Sequence, residues 1–277
     1  MAATIERGGF DIIVWSRDAG KAGRVGRSIG VPVAASAAEA AAKADVIVTS
    51  LADDEAVRAV YLGPDGIVAG IEPESIAVDT STIDPTTSLE VGDAVEATGA
   101  GFLDCPVSGS VSGVESGTLT LMVGGEPDVL EQTRPVLEAI ASRIVHTGGR
   151  GSGAATKLAV NALVHSLNIA LCEAIVLAER AGVDRSIAYD VFASGSGGAP
   201  YVHYKRDAFE NPSISPIAFS IDLVAKDLEL ITALGEKVGA RLDQAATGLE
   251  IVRRAIADGF GPRDLSAIAV YLRGESA

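Results

Sequence analysis

Apolar runs alternate with helix-forming stretches from Asp11 to Gly148, and beyond Gly148 no strand-like run recurs. DIIVW (11–15), VPVAA (31–35), DVIVTSL (45–51), SIAVDTST (75–82), FLDCPVSG (102–109), TLTLMVGG (118–125) and RIVHTG (143–148) read as short strands. Between them lie helical stretches whose starts carry capping residues. Asp53 opens DDEAVRAVYLG, and Asp84 precedes Pro85 in DPTTSLEVGDAVEATG. Strands separated by helices predict a largely parallel sheet covered on both faces.

After Gly148 the segment GRGSGAATKLAVNALVHSLNIALCEAIVLAERAG is apolar on nearly every side, as in a helix buried between domains or subunits. FSIDLVAKDLELITALGEKVG (219–239) and TGLEIVRRAIADG (247–259) are amphipathic helices with glycine stops. The expected organisation is an α/β domain over residues 1–148 and an all-α domain over 149–277.

Hydrophobic residues make up 48% of the 277, enough for two cores, and with only 4% aromatic residues the packing is aliphatic. The net charge of −15 argues against nucleic acid or an anionic membrane as partner. No charge-free apolar run of membrane-spanning length occurs, and the N-terminus has no signal-peptide pattern. The two cysteines, Cys105 and Cys172, read as buried thiols of a cytoplasmic protein. His146, His165 and His203 are scattered without ligand spacing, so no metal site is expected.

One stretch carries chemistry. GFLDCPVSGSVSGVESGTLTLMVGG (101–125) runs from a strand into a Ser/Gly loop whose backbone N–H groups can hold an anion, and then into another strand. Lys157 and Asn161 follow on one face of the next helix. An anion-binding loop with a helix-mounted lysine suits a small carboxylic acid.

DVIVTSLADDEAV, DTSTIDP, FLDCPVSGSVSGVESGTLTLMVGG, GSGAATKLAVN and IDLVAKDLEL, in that order, resemble the β-hydroxyacid dehydrogenase family, which includes 3-hydroxyisobutyrate dehydrogenases and 2-hydroxy-3-oxopropionate reductases. The resemblance implies a nicotinamide-binding Rossmann domain, a long interdomain helix and a helical domain that forms a homodimer or homotetramer. It gives Lys157 the role of general acid/base, its pKa lowered beside a cationic nicotinamide. Asn161 would hold the substrate hydroxyl or Lys157, and Ser108 with Gly109 would clamp the carboxylate. The family's second Asn is Ala162 here, and its second loop glycine is Ser110. The implied cofactor contacts are Leu51, Ala52, Thr82 and Lys226. Ala52 replaces a proline usual in the family.

Ser16 and Arg17 end the DIIVW strand where an NAD enzyme carries an acid. An arginine there can pair a 2′-phosphate, so NADP is preferred over NAD, although Asp18 next door would oppose it. Related activities remain open: a glyoxylate or succinic semialdehyde reductase, or an imine reductase, although many of those carry Asp or Tyr at the Lys157 position. KLAVN lacks the histidine expected of a 6-phosphogluconate dehydrogenase.

The family's opening strand and its G-x-G-x-x-G loop are not found in the sequence. That strand is central to a 3-2-1-4-5-6 sheet, and its loop cradles the pyrophosphate. The expectation is a short further segment before Met1, and weak cofactor binding or a non-catalytic remnant without it.

Overall fold

The computed structural model describes residues 1–109, 111–212 and 214–277, the side chains of residues 111 and 112 excepted. The chain forms two compact units, Met1–Lys157 and Leu158–Ala277.

The first unit carries, in chain order, α1 (Ala2–Arg7), α2 (Ala19–Ile29), α3 (Ala37–Ala41), β1 (Val46–Thr49), α4 (Asp54–Leu62), β2 (Ile76–Asp79), α5 (Pro85–Glu96), β3 (Gly101–Asp104), β4 (Val107–Ser108), α6 (Val111–Glu115), β5 (Leu119–Gly124), α7 (Pro127–Glu138) and β6 (Ala141–Gly148). Helix α8 (Ser152–Arg180) begins here and continues into the second unit. Caps fall where the sequence places them. Asp53 accepts from Ala56 N at 2.8 Å, and Asp84, ahead of Pro85, accepts from Thr86 N at 2.7 Å.

The sheet runs β1-β2-β3-β5-β4, with β6 beside β5. Strands β1, β2 and β3 are parallel, as expected, but β5 lies antiparallel to β3 and parallel to β6. The reversal has a simple cause. A parallel return needs a full helical crossover, and the link between β3 and β5 holds only the two-residue β4 and the five-residue α6. Side chains alternate between two apolar layers. Ala77 and Phe102 pack with Val57, Tyr61, Val91 and Val95 of α4 and α5, while Val78 and Leu103 pack with Leu121, Leu130 and Leu137 on the other side.

Two expected strands do not enter the sheet. DIIVW and VPVAA meet only through one parallel bridge, Val14 to Val33. The expected Ser/Gly loop is also shortened by α6.

The second unit holds the rest of α8, then α9 (Arg185–Ser194), α10 (Pro200–Tyr204), α11 (Arg206–Glu210), α12 (Ile221–Val238), α13 (Asp243–Ala257) and α14 (Ile268–Arg273). Its core joins Ile169, Cys172 and Ile175 of α8 to Leu228 and Ile231 of α12, Val252 of α13 and Ile268 of α14. An 18-residue window of α8 reaches a mean hydropathy of 1.7, long and apolar enough to cross a membrane by length and composition. Its buried Asn161, His165 and Asn168 all have polar partners in the unit, the pattern of a core helix. Leu163 and Leu177 stand out from the rest of α8, 71% and 72% exposed.

Candidate active site

Parallel register brings Thr49, Asp79 and Asp104 into one row at the carboxyl ends of β1, β2 and β3. These ends are where ligands bind in open α/β sheets. Asp79 is fully buried and accepts from Thr49 Oγ1 at 2.6 Å and Ser81 Oγ at 2.7 Å. Burial outweighs these bonds and pushes its carboxyl up to about 6. Ser81 in turn accepts from the backbone N–H of Leu51 at 2.9 Å. The loop carrying Leu51 and Ala52 is thereby tied to the loop carrying Thr82.

Asp104 performs a different task. Its two carboxylate oxygens accept from Gly151 N and Ala154 N, each at 2.8 Å, and so cap the start of α8. Burial raises this carboxyl despite those bonds. Gly153 sits so close that a Cβ there would lie 2.4 Å from the Asp104 carbonyl oxygen and 2.5 Å from that of Met122. The contact seats the first turn of α8 on the ends of β3 and β5. Lys157, half-buried, is one turn further on.

Ser108 ends β4, paired across from Thr120, and Gly109 follows with φ 143°. That φ favours glycine in the turn out of β4, and a Cβ there would also oblige Leu119 Cδ2, 2.7 Å away, to shift. Ser110 lies outside the described residues.

Ser16, Arg17, Leu51 and Ala52 line a single cavity of about 450 Å³ in the first unit. Arg17 is exposed on its edge. Asp18 is committed elsewhere: its carboxylate accepts from Lys21 N at 2.9 Å and caps α2.

In the second unit Asn161 of α8, 6% exposed, donates from Nδ2 to Asp227 Oδ2 at 2.5 Å. His165 Nε2 lies 3.3 Å from the same oxygen, and Lys226 Nζ lies 2.9 Å from Oδ1. Burial works to raise the Asp227 carboxyl, but the His165 hydrogen bond and the Lys226 charge outweigh it and hold the group below the usual range. Lys226, expected at the cofactor, is thus also the ion-pair partner of Asp227.

Asp79 and Asp104 were not singled out from sequence, nor was the hold of Asp227 on Asn161. A signal existed for the first two, because each is an acid closing an apolar strand (IAVD, GFLD) where an ionised side chain is costly without partners. The contact between residues 161 and 227 has no such local signature.

Residues 1–148 match the family described as the NAD binding domain of 6-phosphogluconate dehydrogenase, and residues 151–272 match the NAD-binding domain of NADP-dependent 3-hydroxyisobutyrate dehydrogenase. The chain is 36% identical over 253 residues to a probable 3-hydroxyisobutyrate dehydrogenase of Mycobacterium tuberculosis, covering 89% of this chain and 85% of that one. It is 31% identical over 273 residues to glyoxylate/succinic semialdehyde reductase 2, chloroplastic, of Arabidopsis thaliana, covering 99% and 76%. The solved M. tuberculosis 3-hydroxyisobutyrate dehydrogenase with L-serine superposes with a TM-score of 0.86 at 34% identity, covering 98% of this chain and 94% of that one. The chain belongs to the β-hydroxyacid dehydrogenase family.

A nicotinamide dinucleotide is the cofactor this family implies, and the donor set on the cavity edge suits its ribose end. Arg17 offers a cationic fork, and Ser16 a hydroxyl. No G-x-G-x-x-G turn occurs in residues 1–277, so a pyrophosphate cradle of that kind is not supplied by them.

Proposed function

We propose that this chain is an NAD(P)-dependent oxidoreductase that moves a hydride between nicotinamide and the carbinol carbon of a short 3-hydroxy acid, or the aldehyde carbon of the matching semialdehyde. The observation that carries the reading is α8. Its first turn is fixed by Asp104, its second bears Lys157, and its third bears Asn161 with the amide clamped by Asp227.

The bound nicotinamide supplies or takes the hydride. Every other step belongs to side chains of this protein. Lys157 delivers a proton to the alkoxide oxygen in reduction and removes one from the hydroxyl in oxidation. Asn161, its Nδ2 held by Asp227, turns its carbonyl oxygen to the substrate hydroxyl. Ser108 and the backbone at Gly109 hold the carboxylate and set the distance to the reacting carbon. Leu51, Ala52 and Thr82 would contact the dinucleotide, and Lys226, paired with Asp227, is a further proposed cofactor contact. Arg17 meets a ribose 2′-phosphate, which favours NADP. Asp18, next in sequence, spends its carboxylate on the cap of α2.

The exposed Leu163 and Leu177 of α8 suit burial against a second copy, in line with a homo-oligomer. The free buried thiols Cys105 and Cys172 suit a reducing compartment such as the cytoplasm. The likeness to the Arabidopsis enzyme supports glyoxylate or succinic semialdehyde as an alternative substrate, served by the same side chains.

The test is cofactor oxidation with NADH and NADPH in parallel against a panel of short semialdehydes. Lys157→Ala should abolish turnover while leaving substrate binding largely in place. Equal turnover by Lys157→Ala and the unaltered chain would refute the assignment.

A further inference from the structure

Beyond the register pair of Thr49 and Asp79, one more backbone bond joins the paths of β1 and β2, from Thr80 N to Thr49 O at 2.9 Å. The chain then leaves each strand in a loop, residues 50–53 ahead of α4 and residues 80–84 ahead of α5. Backbone amides past the end of a ladder need other partners. Here each segment supplies the other's. Leu51 N donates to Ser81 Oγ at 2.9 Å, and Asp84 N donates to Asp54 Oδ1 at 3.0 Å. The two bonds run in opposite directions, and both acceptors are themselves held. Ser81, 3% exposed, donates its hydroxyl proton to Asp79 Oδ1, which leaves its lone pairs for Leu51. Asp54 Oδ1 also accepts from Thr87 Oγ1 of α5, and Thr87 in turn accepts from Arg58 Nη2 of α4 at 2.7 Å. Ile83, between Ser81 and Asp84, is fully buried in the apolar layer that holds Val57 and Val91.

We infer that Ser81 and Asp54 are positioning residues that clasp the loop after β1 to the loop after β2, so that Leu51, Ala52 and Thr82 meet the dinucleotide as one rigid edge. The two bonds act together because each closes the ring that the other begins. With Ser81 holding Leu51, Asp54 already lies beside Asp84, and the second bond orders little further chain. Loss of either tie therefore loosens both. A preordered edge removes an ordering cost from binding, so its loss is felt as weaker cofactor affinity. That the edge serves a nicotinamide dinucleotide rests on the function proposed above; the clasp itself does not.

Ser81→Ala, Asp54→Ala and the double variant of the full chain are compared with the unaltered protein by amide exchange and by NADPH titration, read through the fluorescence of the reduced nicotinamide. An amide that loses its own acceptor exchanges faster in any case. The informative amide is the far one, Asp84 in Ser81→Ala and Leu51 in Asp54→Ala. Each far amide should exchange about tenfold faster, with exchange in α12 and α13 unchanged as the check on folding. NADPH affinity should fall about tenfold in either single variant and hardly further in the double one, because coupled ties are not additive. Asp54→Asn keeps an acceptor for the Asp84 amide and should restore both the exchange rates and the affinity. Coupled exchange with no NADPH binding by the unaltered chain would leave the clasp standing and count against the nicotinamide reading. Far amides that ignore the distant substitution, NADPH affinity unmoved by either alanine, or an Asp54→Asn chain as loose as Asp54→Ala would overturn the inference.

Discussion

Asn161 donates its side-chain amide to Asp227 at 2.5 Å across two helices of the second unit. An ionised carboxylate only accepts, so the contact dictates which way the amide faces. The amide carbonyl is thereby directed away from Asp227, the orientation that the role proposed for Asn161 at a substrate hydroxyl requires. Lys226 and His165 keep Asp227 ionised.

Asp227→Asn should break this orientation more than the fold. The new amide can present N–H to Asn161 and loses its attraction for Lys226. We expect kcat to fall by about a hundredfold with a smaller change in KM, the signature of a misplaced reacting group. Asp227→Ala additionally strands the buried Asn161 amide and His165, at about 1–3 kcal/mol for each unsatisfied group. Steady-state kinetics with thermal melts separate the two effects. Unchanged kcat in Asp227→Asn would remove Asp227 from the positioning of Asn161.

Asp79 and Asp227 act on stability in opposite directions and in different pH windows. Asp79 titrates at about 6, against an ordinary value of 3.8. The folded state therefore keeps a proton that the unfolded chain has released, and stability declines as pH rises from about 4 to about 6, by on the order of 3 kcal/mol. Asp227, held below its ordinary value, contributes stability that is present above that value and is lost as pH falls through its lower one. Asp79→Asn retains acceptors for Thr49 and Ser81 and should flatten the decline between pH 4 and 6, as followed by denaturant midpoints. A decline of unaltered size in that variant would assign it to other groups.

Much of this was legible locally. Five of the seven apolar runs, and Asp53 and Asp84 as caps, are short-range patterns, and the molecule follows them. What could not be read required partners distant in sequence. DIIVW has the composition of a strand, yet strand formation needs a neighbour, and among the described residues the only pairing it finds is the bridge at Val33. The reversal at β5 depends on how far a five-residue helix can carry the chain. Asp227 reaches Asn161 across 66 residues, where periodicity says nothing.

Gly153 gives the sharpest packing test in the first unit. Its missing Cβ leaves room for the carbonyls of Asp104 and Met122. Gly153→Ala must push the start of α8 outward, straining the two bonds from Gly151 and Ala154 to Asp104. Overpacking of this kind costs about 1–3 kcal/mol. Lys157 would move with its helix, so kcat should fall alongside stability. Ala154→Gly, which relaxes the same turn without adding a contact, should lower stability by about 1 kcal/mol and leave kcat closer to normal. Equal kcat loss in both variants would mean that the position of the turn does not govern the site.

Arg17 allows a test of cofactor choice that does not depend on knowing the substrate. It stands exposed on the cavity edge, and Asp18 is occupied in capping α2. A 2′-phosphate paired with its guanidinium forms charge-assisted hydrogen bonds, each worth about 1.5–3 kcal/mol. Arg17→Ser should therefore raise the KM for NADPH by about tenfold to a hundredfold and alter that for NADH far less. Salt supplies a second reading of the same contact. An exposed ion pair weakens as ionic strength rises, so the NADPH KM of the unaltered protein should climb with salt while that of Arg17→Ser stays nearly level. Arg17→Lys, which keeps the charge but loses the planar fork, should fall between the two. Parallel losses for NADH and NADPH in Arg17→Ser would place the arginine at a part of the dinucleotide common to both, and the preference for NADP would lose its basis.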